Sequence, residues 1–154
     1  MIYQTKSVLH ALMLANSGPT QDLRGYKTFR KGDWKEVPIL EQPSLSIEWG
    51  GSFQFGQAFN PFESTFTLDL VTKCTEPRDP DLVSKKIELL LWDFDLTGDW
   101  GLIPFLRDNR SLQLPNSPYT VLITPRNGEV LIESNGDNYY SASCITTLEC
   151  TSQS

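Results

Sequence analysis

The chain has 154 residues, of which 39% are hydrophobic and 21% charged, and it carries a formal net charge of −6. That is one domain's worth of chain, able to bury about two-thirds of its unfolded surface and too apolar to be disordered. It has no run of about 18 apolar residues to span a bilayer, and the acidic balance excludes a general nucleic-acid-binding surface, whose affinity comes from Lys and Arg neutralising phosphates. The expectation is a single soluble domain over residues 1–154 with no membrane partner. The start, Met1 to Lys6, also lacks the basic and apolar blocks of a cleaved secretion signal.

Tyr3 to Ala15 read as a first helix, with Val8, Leu12 and Ala15 on one stripe and Leu9 and Met13 beside it. Asn16-Ser17-Gly18-Pro19 stops it, with Gly18 predicted as a left-handed cap. From Thr20 to Glu41 the chain is polar, basic and weakly patterned, a surface excursion with short ordered pieces. Arg24, Lys27, Arg30, Lys31 and Lys35, interleaved with Tyr26, Phe29 and Trp34, form a candidate basic patch for phosphate or an acidic partner, with a solvated loop as the alternative.

Ser44 to Trp49 and Ser64 to Leu70 alternate polar and apolar residues and predict strands with one buried face. Between them, Phe53, Phe55, Phe59 and Phe62 stand among glycines and polar residues. They are candidate anchors of an arm that packs on a neighbouring subunit, or else a loop folded over its own core.

The run from Asp79 to Phe94 predicts a second helix. Asp79 can cap its first turn, Pro80 suits the first helical position, and Asp81 sits at the positive end of the dipole. Val83, Ile87, Leu90, Leu91 and Phe94 make one wide apolar stripe that needs a sheet or a helix to cover it. Leu96 to Pro118 reads as a long connection with turn signals around the apolar stretch Trp100 to Leu106. Tyr119–Thr124 and Glu129–Glu133 flank Pro125-Arg126-Asn127-Gly128, and the Asn-Gly pair predicts a hairpin there. The last strand runs from Tyr140 to Cys150, with Ala142, Cys144, Thr146, Leu148 and Cys150 on one face. The whole predicts an α+β fold, a mixed, mainly antiparallel sheet with two main helices on one face and extended loops or an arm.

The chain is poor in catalytic motifs. Cys144 and Cys150 lie about 20 Å apart on an extended strand and cannot bridge; a bond from Cys74 to either stays open, but free buried thiols are expected. Asp93-Phe94-Asp95-Leu96-Thr97 resembles the nucleophile motif of haloacid-dehalogenase-type phosphatases, in which Asp93 would attack phosphorus and Asp95 handle the leaving-group proton. The residues before Asp93 follow helical rather than strand spacing, and no lysine follows Lys86. The same segment begins like a calcium loop, but Pro104 stands where a bidentate Glu is required. His10 is the single histidine, mid-helix among apolar residues. No zinc spacing, Walker loop, nucleophile elbow or dinucleotide fingerprint occurs, so neither an enzyme nor a metal or cofactor is expected.

An N-terminal amphipathic helix, a Pro-led strand, a glycine-rich turn, a second alternating strand, a helix opening on Asp79-Pro80 and a closing alternating strand resemble, in order and length, the tail terminator proteins of tailed bacteriophages. The basic excursion from Gln21 to Lys35 and the connection from Leu96 to Pro118 depart from that pattern. The resemblance implies a structural subunit that assembles with itself, as a hexameric ring, on the head-proximal end of the tail tube. It would meet the tail tube protein and a neck or stopper protein, and DNA only as the genome in transit. Its location would be the virion tail, assembled in the host cytoplasm. A neck or stopper subunit is the nearest alternative, and an Asp93-dependent phosphatase a distant one.

Overall fold

A computed structural model describes residues 1–55, 64–92, 99–134 and 139–153. In chain order the elements are α1 (Ile2–Ala15), β1 (Thr28–Arg30), β2 (Ser44–Gln54), β3 (Thr65–Pro77), α2 (Pro80–Leu91), α3 (Leu102–Asp108), β4 (Ser111–Gln113), β5 (Thr120–Ser134) and β6 (Tyr139–Gln153). The strands form one six-stranded sheet in the order β1-β2-β3-β6-β5-β4, antiparallel throughout except for the β1–β2 pair. The fold is α+β.

Alternation decides which way the sheet packs. On β3 the residues Phe66, Leu68, Leu70 and Cys74 are buried on one face, and on β6 Ala142, Cys144, Leu148 and Cys150 share it. All three helices feed this face, giving a core that joins Leu9 and Met13 of α1, Val83, Ile87 and Leu90 of α2, and Leu102, Phe105 and Leu106 of α3. The opposite face is covered in part by residues 34–42, with Val37 buried. Ser44 and Ser46 are fully buried on that side of β2, and neither hydroxyl has a hydrogen-bond partner.

Several boundaries differ from the sequence expectation. The buried stripe of α1 is Thr5, Leu9 and Met13, with Val8 and Leu12 only partly covered. Thr5 can enter the core because its hydroxyl donates back to the Met1 carbonyl at 2.8 Å. Asn16, not a left-handed Gly18, closes that helix, its side-chain amide donating to the Leu12 carbonyl at 2.8 Å. Helix α2 starts as expected, with Asp79 accepting from the Asp81 N–H at 2.9 Å, but it ends at Leu91, and Trp92 is already extended. The predicted continuation to Phe94 falls among residues 93–98, outside the described residues.

Two elements differ in kind from the sequence expectation. The apolar stretch within the expected connection is the short helix α3, which Gly101 opens at φ 122 and whose Pro104 sits in the first turn, where no N–H is needed. The predicted hairpin at Pro125–Gly128 does not exist. Both flanking segments belong to one strand, β5, which pairs with β6 along its length and absorbs Arg126 as a bulge between Pro125 and Asn127. The antiparallel pair is instead β5 with β6, in which Ser134 stands opposite Tyr140.

Candidate assembly site

The two edges of the sheet are stepped. β4 covers β5 only at Thr120–Leu122, and among the described strands nothing pairs with β5 from Thr124 to Ser134 except β6. Every residue of this stretch is exposed, although Cys144 and Ala142 of β6, opposite Val130 and Ile132, are buried under the helices. At the other edge β1 covers β2 only at Ser44–Ser46, so Trp49, Phe53 and Gln54 have β3 alone as their described strand partner, with Gly50–Ser52 between them out of register as a bulge. Among the described strands each edge thus lacks a second ladder partner over part of its length, the property that makes an edge strand a template for another chain.

Both stretches are apolar where they are open. On β5, Val130, Leu131 and Ile132 are 50%, 53% and 40% exposed. On the β2 side, Trp49, Phe53 and Phe55 are 50%, 48% and 56% exposed, and the rings of Phe53 and Phe55 meet edge to face at 4.9 Å. Direct pairing places Trp49 opposite Leu68 and Phe53 opposite Phe66, both buried on the helix side, so these aromatics face that side too. Val130 and Ile132, opposite Cys144 and Ala142, also face it. Phe59 and Phe62, the other two predicted anchors, lie outside the described residues.

The five cations of the candidate basic patch are dispersed among separate neighbours. The Arg24 guanidinium lies 4.6 Å from the Trp100 ring centre, Lys31 5.8 Å from Tyr3, and Lys35 5.6 Å from Trp34. Arg30 lies in β1, and the Lys27 backbone N–H donates to the Pro43 carbonyl at 2.7 Å. On the outer sheet face Lys73 donates to the Lys35 carbonyl at 3.0 Å, and burial pulls its pKa down while Glu36 and Glu133 oppose that shift. This amine sits in a cleft of about 650 Å3, walled by Trp34, Val37 and Ile39 on one side and Leu131 of β5 on the other.

No protein-family model matches the chain, and no curated protein matches it in sequence.

The groups with latent reactivity are turned to structure. Cys74, Cys144 and Cys150 are free and buried, and burial pushes the Cys74 and Cys150 thiols up to about 12 and raises Cys144 as well. Such thiols stay protonated and unreactive. His10 donates from Nε2 to the Phe29 carbonyl at 3.1 Å, which ties α1 to β1. Among the described residues no three His, Cys, Asp or Glu side chains gather as a metal site, and no helix is long and apolar enough to cross a membrane. Asp93 and Asp95 lie outside the described residues. Asp99 pairs with Arg107 at 2.6 Å.

The aromatic pair was legible in the sequence, since Phe among Gly and Gln has no core periodicity. The open stretch of β5 was not, because Val130-Leu131-Ile132 reads as ordinary buried strand until the lengths of its neighbours are known.

Proposed function

We propose that this chain is a non-enzymatic structural subunit that works by assembling with copies of itself, as the ring that ends a phage tail tube at its head-proximal side. The observation that carries the reading is the open eleven-residue edge of β5 from Thr124 to Ser134, with Val130, Leu131 and Ile132 exposed on it. A long exposed edge of this kind invites aggregation unless a partner completes it. In a ring subunit the partner is the next copy. Head-to-tail rings require two different surfaces on each subunit, and the stepped edges supply two. The order of elements, like that of tail terminators, supplies the specific assignment, with the tail tube on one face and a neck or stopper protein on the other. The net charge of −6 suits a channel through which the genome slides without being gripped.

The test is the mass of the purified chain in solution together with negative-stain imaging. Closed rings, six subunits by the tail-terminator assignment, are expected, and a monomer at tens of micromolar overturns the reading. In an infected host, loss of the chain is expected to yield overlong tails. Tails of normal length that fail to join heads would assign it to the neck.

A further inference from the structure

We propose that the ring joint is a sheet continued from copy to copy, in which the open stretch of β5 in one subunit pairs antiparallel with the open stretch of β2 in the next, setting Val130 against Phe53 and Ile132 against Trp49. This rests on the ring reading and gives it an interface. The argument is one of shape and register. β2 and β5 run antiparallel within the sheet, so an edge-to-edge join of successive copies is antiparallel as well. The steps on the two edges are complementary: β4 blocks the upper end of β5, and β1 blocks the lower end of β2.

Register fixes how far one copy must slide against the next. Ser46, Val71, Ile145 and Glu129 stand at one level of the sheet, and Glu76, Tyr140 and Ser134 at another, five residues further along β3. When β2 of the second copy lies beside β5, its own β1 stands in line with β5 and must pass beyond Ser134. Keeping the helix faces of both copies on one side requires a slide by an even number of residues. The smallest slide meeting both conditions is about six residues, roughly 20 Å.

At that slide the cross-strand pairs match in character. Phe53 moves from the level of Phe66 to that of Thr72, which is the level of Cys144 and Val130. Trp49 moves from the level of Leu68 to that of Cys74, which is the level of Ala142 and Ile132. Both are aromatic against β-branched pairs on one face, the favoured kind in antiparallel sheets, with the Gly50–Ser52 bulge opposite Leu131 as it is opposite Thr67 of β3. The lateral repeat is the four strands β2, β3, β6 and β5, about 19 Å at 4.8 Å per strand. A slide of about 20 Å over that width inclines the strands roughly 45° to the ring axis, at the upper end of the 35–45° of closed barrels.

Two capped variants test the joint. Val130→Lys/Ile132→Lys blocks the β5 edge, and Trp49→Ser/Phe53→Ser blocks the β2 edge. All four residues are exposed, so both variants should keep the far-ultraviolet circular dichroism of the parent. Each alone is expected to be monomeric, and a 1:1 mixture to form a dimer of twice the monomer mass and nothing larger, because one intact edge of each kind remains. A second test covers misfolding of either variant: in a Cys144→Ala background, Phe53→Cys and Val130→Cys chains, mixed and oxidised, should give a covalent dimer that neither gives alone. A parent protein that is monomeric overturns the ring reading. A parent that forms rings while both capped variants do too overturns this joint alone, as does self-cross-linking of the Val130→Cys chain, which would mean that β5 pairs with β5.

Discussion

Leu90 is 2% exposed on the stripe of α2 that meets β3 and β6, and the sequence placed it there from spacing alone. Leu90→Ala should cost about 2–5 kcal/mol in denaturant unfolding, transfer loss plus the cavity left behind. A smaller loss would count against that packing. Leu91, expected on the same stripe, is only partly buried, because at 100° per residue it lies on its margin. The buried thiols add a dependence on pH whose sign follows from the shift. Cys74 and Cys150 hold their protons up to about 12 when folded, against an ordinary value of 9.0, so the folded state binds the proton more tightly. That stabilisation is complete below pH 9 and is lost as pH rises toward 12, at about 1.4 kcal/mol per pH unit for each thiol. The urea midpoint should therefore fall by more than about 1 M between pH 8 and pH 10, taking about 2 kcal/mol per M as the slope. Cys74→Ala/Cys150→Ala should start lower and fall less over the same interval.

At the scale of elements, local signals worked where the chain's own neighbours in sequence decide the outcome and failed where distant partners do. Asp79 and Pro80 start α2 through contacts within one turn. Asn127-Gly128 is a hairpin signal only if its two flanks pair with each other, and here β6 pairs with both. Pro125 fits because it stands at the bulge on the open side of β5, where no ladder partner needs its missing N–H. A direct check follows from the glycine. Gly128 is not in the left-handed region, and an added Cβ would meet Cys144 Sγ at 3.8 Å, an ordinary contact. Gly128→Ala should therefore leave stability unchanged or raise it by up to about 1 kcal/mol, through a less flexible unfolded chain. A hairpin turn at Asn127-Gly128 would instead require positive φ and lose stability. By contrast Gly101, at φ 122 with an added Cβ 2.7 Å from the Leu91 carbonyl oxygen, admits no side chain at the start of α3.

Across the whole molecule, the α+β class was legible because hydrophobic period reports which face of each element is buried. The stepped edges were not legible, since they depend on β1 and β4 being three residues long against partners of eleven and fifteen. In the proposed assembly these steps would also set the electrostatics. Each copy carries −6, and Trp49–Gln54 contributes no charged residue to the joint. On the facing stretch of β5, Glu129 and Glu133 are acidic, and Arg126 is already engaged by Glu149 at 2.9 Å. In the proposed joint, association would therefore gather like charge around an interface held by main-chain hydrogen bonds and apolar contacts. Salt shortens the range of that repulsion from about 30 Å at 0.01 M to about 8 Å at 0.15 M while leaving the apolar contacts intact. Self-association should thus tighten several-fold over that range, read as a shift of the sedimentation boundary toward the larger species at fixed protein concentration. If the assembly instead dissociates as salt rises, its joint is held by ion pairs between copies, and the β5 and β2 edges are not what meet.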